Sequence, residues 1–138
     1  MMISTKGTYA LRVMIDLAQH ENEGFISLKS IADRQNISMK YLESIVSLLN
    51  KGGMLASLRG KDGGYMLRKP AEEYRIGEIL RLTEGGLTPD SCHGFSEGEE
   101  ECQNVDRCLT FPMWQKLDNM INDYLDKVSL KDLLEGNV

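Results

Sequence analysis

The chain has 138 residues, of which 41% are hydrophobic and 27% are charged, and its formal net charge is -5. These values fit one soluble globular domain with a core of its own, and no apolar run approaches the ~18 residues that a membrane span needs. The first seven residues lack the basic-then-apolar order of a secretory signal. We therefore expect a cytoplasmic protein, in which three cysteines are thiols or metal ligands rather than disulfides.

Charge is divided unevenly along the chain. Residues 1–70 contain ten Lys and Arg against six Asp and Glu, a net charge of +4, whereas residues 71–138 contain six against fifteen, a net charge of -9. A basic half can face nucleic-acid phosphates, and an acidic half would avoid them. The pattern favours a nucleic-acid partner for the first half, although chance scatter of surface charge would also produce it.

The first half of the chain predicts three helices in close succession. Apolar residues recur at helical spacing over about 5–20, 28–35 and 39–51, and Ser27 and Ser38 precede the second and third of these segments as capping residues. The last two helices, joined by a brief turn, form a helix-turn-helix pattern. An ordinary helical hairpin has the same spacing.

Two short strand candidates follow, over residues 54–59 and 65–68, around the glycine-rich turn 60–64. Such turns join antiparallel strands, and a hairpin after a helix-turn-helix is the layout of a winged helix. The tip carries Arg59 and Lys61, and an arginine there can enter a DNA minor groove, where negative potential is concentrated. An exposed hairpin without a ligand is the alternative. A phosphate-binding loop is disfavoured, because no helix follows directly and no Lys-Ser or Lys-Thr pair closes the turn.

All three cysteines lie in residues 85–110, which we call the cysteine segment, at Cys92, Cys102 and Cys108. The segment has no sustained apolar period, and so long a loop in a small domain is usually functional or disordered. Thiolates are the usual ligands of iron–sulfur clusters. A zinc site is less favoured, because zinc fingers usually contain tighter cysteine pairs. Unliganded thiols are the third possibility.

The cysteine segment is flanked by helices. A short helix is predicted around residues 76–82, and a long amphipathic helix over residues 111–128. Pairing of the long helix with a second copy of itself would bury its apolar face and give a two-fold dimer. Docking of that face on the chain's own domain is the alternative. Ser129 and Asp132 predict a capping box for a last short helix. The apolar residues of the long helix are Phe111, Trp114, Leu117, Met120, Ile121, Tyr124, Leu125 and Val128.

These features together resemble the IscR-like superfamily of bacterial winged-helix regulators, which has NsrR-type and CymR-type members. The resemblance covers nearly the whole chain. It rests on the cysteine triplet and on the segments ISTKGTYA, ISMKYLE and SLRGKDGGY. It implies a mainly α fold with a small β-hairpin wing. A winged helix-turn-helix DNA-binding domain would occupy residues 1–84, a cluster-binding loop 85–110, and a dimerisation helix with a short C-terminal helix 111–138.

The triplet places the chain in the iron–sulfur branch of that superfamily, because CymR-type members lack it. The resemblance therefore implies an iron–sulfur cluster on Cys92, Cys102 and Cys108, with 2Fe–2S favoured and 4Fe–4S the alternative. The histidine that completes the site three residues after the last cysteine is replaced here by Phe111. The fourth ligand stays open, and its candidates are the N-terminus of a dimer mate, His93, Glu101 and Asp106.

For DNA, the resemblance implies that the third helix reads the major groove and the wing reads the minor groove. Arg59 would enter the minor groove, with Lys61 near the backbone. For Tyr41, packing in the core is an equally favoured role. Glu43 would contribute to the selection of a base rather than to the strength of binding. The major-groove residues carried over by position are Ser38, Lys40, Tyr41, Glu43 and Ser44.

The chain is thus predicted to be a homodimeric transcription regulator, a repressor that binds double-stranded DNA at a palindromic operator. Its cluster would sense iron–sulfur status or oxidative or nitrosative stress. The rival is a CymR-like dimeric repressor controlled by a protein partner, with cysteines that bind zinc or nothing. An enzyme is not expected, because His20 and His93 lie apart and no nucleophile–base set is apparent from the spacing. A small-molecule substrate and a membrane partner are not expected either.

Overall fold

The computed structural model describes residues 3–88 and 108–138, and these residues are mainly helical. Two strands form a hairpin between the third and fourth helices, β1 (Leu55–Leu58) and β2 (Gly64–Leu67). Short 3-10 turns occupy Glu21–Glu23 and Ala71–Glu73. The helices of the described ranges are α1 (Thr5–Gln19), α2 (Leu28–Gln35), α3 (Met39–Lys51), α4 (Ile76–Glu84), α5 (Phe111–Lys127) and α6 (Leu130–Glu135).

Serine side chains begin four of these helices. The hydroxyls of Ser4, Ser27, Ser38 and Ser129 each accept a hydrogen bond from a backbone N–H in the first turn of the helix that follows. Each hydroxyl satisfies a donor that has no partner within the helix. The first three helices agree with their predicted bounds to within one residue, and the predicted capping box of Ser129 is confirmed.

The helix α1 lies at the centre of the fold, where it packs against α2, α3, α4 and α6. Its apolar side chains share one core with those of α3 and α4, so that α3 is held by one face and exposes the other. The predicted helix-turn-helix is confirmed as α2 and α3. The central core residues are Val13, Met14, Leu17, Ile31, Leu42, Ile45, Leu49, Ile79 and Leu80.

The hairpin completes a winged helix and is fastened to the chain ahead of α2. The two strands are antiparallel, and Ile26 extends the sheet by exchanging two backbone hydrogen bonds of 2.8 Å with Tyr65. Gly64 allows this close approach, because a Cβ at that position would overlap the carbonyl oxygen of Ile26. The predicted strands are confirmed, with ends shifted by one residue.

A buried carboxylate joins α1 to α2. Asp16 is 1% exposed, and its oxygens accept hydrogen bonds from Arg34 Nη2 at 2.7 Å, Arg34 Nε at 2.9 Å and Gln35 Nε2 at 3.0 Å. Burial alone would raise the pKa of Asp16, but these bonds and the charges of Arg34 and His20 outweigh it, so the pKa lies below its usual value. The ionised form therefore stabilises the fold.

Replacing this carboxylate should destabilise the protein in a pH-dependent way. We expect Asp16→Asn to lower the free energy of unfolding by about 2 kcal/mol at pH 7, less than for a fully buried ion pair because Arg34 stays partly solvated. The pKa of Asp16 is lower in the folded state than its unfolded value of about 3.9. The stability that Asp16 contributes is therefore fully present above about pH 3.9 and is lost as the pH falls through the folded-state pKa. Urea unfolding at pH 7 and pH 3 measures both effects, with the exposed Asp33→Asn as control. A loss equal at the two pH values would contradict this assignment.

Candidate nucleic-acid interface and metal centre

The exposed surface of α3 begins at its first turn. Ser38, Lys40, Glu43 and Ser44 are all exposed, whereas Leu42 between them is fully buried. The unpaired N–H groups of a helix start favour nearby phosphate. This surface can therefore enter a groove without disturbing the core, and it contains four of the five residues expected at the major groove.

Tyr41, the fifth of them, is half-buried and packs against α1. Its ring meets the ring of Tyr9 on α1 edge-on, with the centroids 5.5 Å apart, and the guanidinium of Arg12 lies 5.1 Å from the centroid of Tyr9. Such aromatic and cation–π contacts hold a ring in place. Tyr41 is thus fixed against α1 at the edge of the exposed surface of α3.

The wing tip carries free positive charge. Arg59 and Lys61 are exposed, and neither forms a hydrogen bond or an ion pair within the described ranges. An arginine without a protein partner is available for the negative potential of a minor groove. The structure therefore places both predicted wing residues where DNA could reach them.

Tyr74 closes the base of the wing, a role that sequence reasoning missed. Its side chain is fully buried, and its hydroxyl donates to Met54 O at 2.6 Å and accepts from the Arg68 N–H at 2.9 Å. Met54 precedes β1 and Arg68 follows β2, so one hydroxyl holds both ends of the hairpin. Burial raises the pKa of Tyr74, which keeps the hydroxyl neutral.

Removing this hydroxyl should loosen the wing. We expect Tyr74→Phe to lower the free energy of unfolding by about 1–3 kcal/mol, because it leaves two partly buried backbone groups without their hydrogen-bond partner. DNA affinity should fall in parallel, since the wing tip loses its fixed base. Urea unfolding and gel shifts measure the two effects. Tyr65→Phe is the matched control, because the Tyr65 hydroxyl makes no hydrogen bond within the ranges 3–88 and 108–138. Equal behaviour of the two variants would refute the clamp.

Cys108 is the one predicted cluster ligand within the described residues. It lies just ahead of α5, and its Sγ is 3.3 Å from Thr110 Oγ1. Bonds from the Thr110 hydroxyl, and then from the backbone N–H groups of Thr110 and Phe111, hold the pKa of the Cys108 thiol below its usual value. Metal-binding cysteines must lose their proton, so this environment suits a ligand.

The remaining predicted ligands lie outside the described residues. These are Cys92 and Cys102 and the candidate fourth ligands His93, Glu101 and Asp106. In the ranges 3–88 and 108–138, no three His, Cys, Asp or Glu side chains converge on a common point. Cys108 itself has a donor atom, a thiol whose proton is readily lost, that fits a thiolate-bound cluster or metal.

The start of the cysteine segment is tied to α1 by another contact that the sequence pattern does not reveal. Glu84, the last residue of α4, accepts hydrogen bonds from Ser4 Oγ at 2.6 Å and from the Ser4 N–H at 3.2 Å. Gly7 makes room, because a Cβ there would overlap the Glu84 carboxylate. The N-terminus of α1 is consequently fixed beside the point where the segment begins.

The helix α5 is apolar on two sides. Leu125 packs towards the core beside α4, as expected if the helix docks on its own domain. On another side, Met113, Leu117, Met120 and Tyr124 are between 37% and 58% exposed. Their alternating spacing of four and three residues is that of a coiled-coil seam. We call these four residues the exposed stripe.

Comparisons with known proteins agree with this architecture. The family described as Rrf2, iron-dependent transcriptional regulator, matches residues 3–136. The HTH-type transcriptional regulator IscR of Pectobacterium atrosepticum is 40% identical over 136 residues, which are 99% of this chain and 80% of that protein. Among the described residues, no helix combines the length and apolar character needed to cross a membrane.

Solved structures show the same fold. The IscR of T. potens is 38% identical and superposes with a TM-score of 0.76 over 100% of this chain and 89% of that one. CymR, the global cysteine regulator of B. subtilis, is also 38% identical, with a TM-score of 0.77 over 96% of this chain and 95% of that one. The chain is therefore similar to regulators of two types.

Proposed function

Because the chain belongs to the Rrf2 family of iron-dependent transcriptional regulators, we propose that it is a homodimeric DNA-binding repressor with an iron–sulfur sensor. One observation carries the sensor part. Cys108 lies three residues ahead of α5, where hydrogen bonds favour its thiolate, and α5 is the helix with the exposed stripe. The proposed cluster ligand would thus lie directly before the helix that carries the proposed dimer surface.

DNA reading is assigned to α3 and the wing. The exposed residues Ser38, Lys40, Glu43 and Ser44 would face the major groove, and Tyr41, held by Tyr9, would approach it from the edge. Arg59 would enter the minor groove, with Lys61 beside the backbone. A two-fold dimer would bind two half-sites of a palindromic operator about one helical turn apart.

The exposed stripe supports dimerisation. Apolar side chains at the spacing of a coiled-coil seam are stable when a second helix covers them. Pairing of α5 with α5 of a second copy would cover all four and set the distance between the two copies of α3. The stripe would then transmit any change in α5 to the DNA-reading surfaces.

Cys92, Cys102 and Cys108 would hold the cluster, with 2Fe–2S favoured, and a bound cluster supplies sensitivity to oxidation or nitric oxide. Cys108 would anchor it to α5, because its Sγ is already oriented by Thr110. Phe111 at the next turn offers no ligand atom. The fourth ligand is therefore expected from elsewhere in the dimer.

The DNA assignment is tested through Arg59. We expect Arg59→Ala to weaken operator binding roughly 5- to 150-fold and to flatten its dependence on salt, because a contact with the negative potential of DNA is lost. Gel shifts at several salt concentrations measure both. Lys116→Ala, which removes one positive charge on α5, is the control. If Arg59→Ala bound the operator as tightly as wild type at every salt concentration, the wing would be excluded from the interface.

A second candidate is a CymR-like repressor controlled by a protein partner. It is favoured by the equal similarity to CymR of B. subtilis and by Phe111 in place of the family histidine. In this case the cysteines would bind zinc or remain thiols. Metal analysis of protein purified without oxygen separates the two, because iron with sulfide supports the first and zinc or no metal supports the second.

A further inference from the structure

The side chain of Asn122, in the middle of α5, connects three parts of the protein. Its Oδ1 accepts a hydrogen bond from Arg81 Nη2 of α4 at 2.7 Å. Its Nδ2 donates to the backbone oxygen of Leu87 at 3.1 Å and to that of Asp118 at 2.9 Å. Leu87 belongs to the cysteine segment and is almost fully buried. A single amide thus fastens the start of that segment to α5.

The direction of this amide is fixed by its neighbours. Arg81 also forms two hydrogen bonds with Asp126, at 2.8 and 3.0 Å, so its guanidinium is held in place. A guanidinium only donates, and the oxygen of Asn122 must therefore face it, which leaves the NH2 group for the Leu87 carbonyl. Gly77 permits the arrangement, because a Cβ there would overlap Asp126.

The contact between Asn122 and Leu87 connects the two roles proposed for α5, which are anchoring of the cluster and dimerisation. Leu87 precedes the first cysteine by five residues, and Cys108 precedes the helix by three. Both ends of the cysteine segment are therefore tied to α5. Asn122 also lies between Met120 and Tyr124 of the exposed stripe in sequence, so a displacement of Leu87 would act on the part of α5 that carries the stripe.

We propose that Asn122 is a positioning residue that couples the cysteine segment to the dimer helix. The inference rests on the proposed sensor function, and it adds the route by which the segment acts on α5. Glu84, three residues before Leu87, is bonded to Ser4 at the start of α1. Residues 84–87 thus join the start of α1 to α5, with Asn122 as the attachment on the α5 side.

Two substitutions separate this role from a general effect of charge. Asn122→Asp keeps an oxygen for Arg81 but replaces the NH2 group, so the bond to Leu87 is lost and two acceptors face each other. Asn119→Asp makes the same chemical change three residues away on α5, where the asparagine is exposed and its side chain makes no hydrogen bond with any described residue. Asn122→Ala removes the bonds without a new charge and serves where the aspartate variant folds poorly.

The first readout is hydrogen exchange in cluster-free protein. Peptides covering residues 85–88 should exchange at least roughly fivefold faster in Asn122→Asp and Asn122→Ala than in wild type, because local opening no longer breaks a hydrogen bond to α5. Asn119→Asp should match wild type. Equal exchange in all four proteins would overturn the anchor.

The second readout is the ratio of operator affinities of cluster-loaded and cluster-free dimers, which a merely stabilising residue would not alter. In both Asn122 variants this affinity ratio should be closer to one than in wild type, by a factor of at least about five. In Asn119→Asp the ratio should equal the wild-type value. An unchanged ratio in the Asn122 variants would overturn the coupling. Wild-type protein that contains no cluster would instead overturn the proposed function, and the exchange contrast would still decide the anchor.

Discussion

Replacing Leu117 and Met120 together with glutamate should convert the protein into a monomer and weaken operator binding by more than about 100-fold. Both side chains belong to the exposed stripe, and a dimer would bury four carboxylates at its centre, where charge without a partner is strongly unfavourable. Each monomer would then bind its half-site independently, without the gain of simultaneous attachment. Analytical ultracentrifugation measures the assembly, and gel shifts on a full operator measure the affinity.

The control adds the same charge on the other side of the helix. Gln115 and Asn119 are exposed and lie away from the stripe by helical spacing, so Gln115→Glu with Asn119→Glu should leave the dimer intact. A dimer that persists in the Leu117 and Met120 variant would show that α5 does not form the interface. If both variants were monomeric to the same extent, the added negative charge alone would explain the loss of the dimer.

The second large effect is expected from the cysteines. The variant with Cys92, Cys102 and Cys108 all changed to alanine should bind no iron and should bind the operator equally before and after exposure to air. In wild type, loss of the cluster should alter operator affinity roughly 5- to 150-fold, the usual range of coupling between two sites. Anaerobic gel shifts, repeated after air exposure, measure the difference.

Folding of the cysteine variant provides the control for that experiment. Cys108 lies outside the apolar core, and its side-chain contact is with Thr110 just ahead of α5. Its replacement should therefore leave the urea midpoint of cluster-free protein nearly unchanged. A triple variant that still responds to air would place the sensing group elsewhere.

Much of the architecture could be predicted because its signals are local. The serine caps at Ser27 and Ser38 and the glycine-rich turn of the wing each act over a few residues, and they mark the observed bounds closely. The winged helix follows from their order along the chain. Family membership and the regulator fold, which the resemblance implied, are confirmed by relatives that match nearly the whole chain.

The contacts that organise the site could not be predicted, because they join distant residues. Ser4 and Glu84 are separated by 80 residues, and Leu87 and Asn122 by 35. The buried hydroxyl of Tyr74 has no local signature either. Periodicity showed one broad apolar face on the long helix, but only the packed structure divides it into a side that docks beside α4 and the exposed stripe.

The predicted functional residues differ in what supports them. The exposed residues of α3 and of the wing tip are available as a DNA surface, and their contacts with bases stay a prediction. Cys108 has an environment suited to a thiolate ligand. Cys92 and Cys102 lie outside the described residues, so their role rests on the family resemblance and on the chemistry of a cysteine triplet.

The most direct test of the sensor is the visible spectrum of wild-type protein purified without oxygen, with iron and acid-labile sulfide determined on the same sample. We expect brown protein with broad visible absorption, and about two iron and two sulfide per chain for the favoured 2Fe–2S cluster. Four of each would indicate the 4Fe–4S alternative. Colourless protein that contains zinc or no metal would contradict the sensor and leave a DNA-binding dimer controlled by a partner.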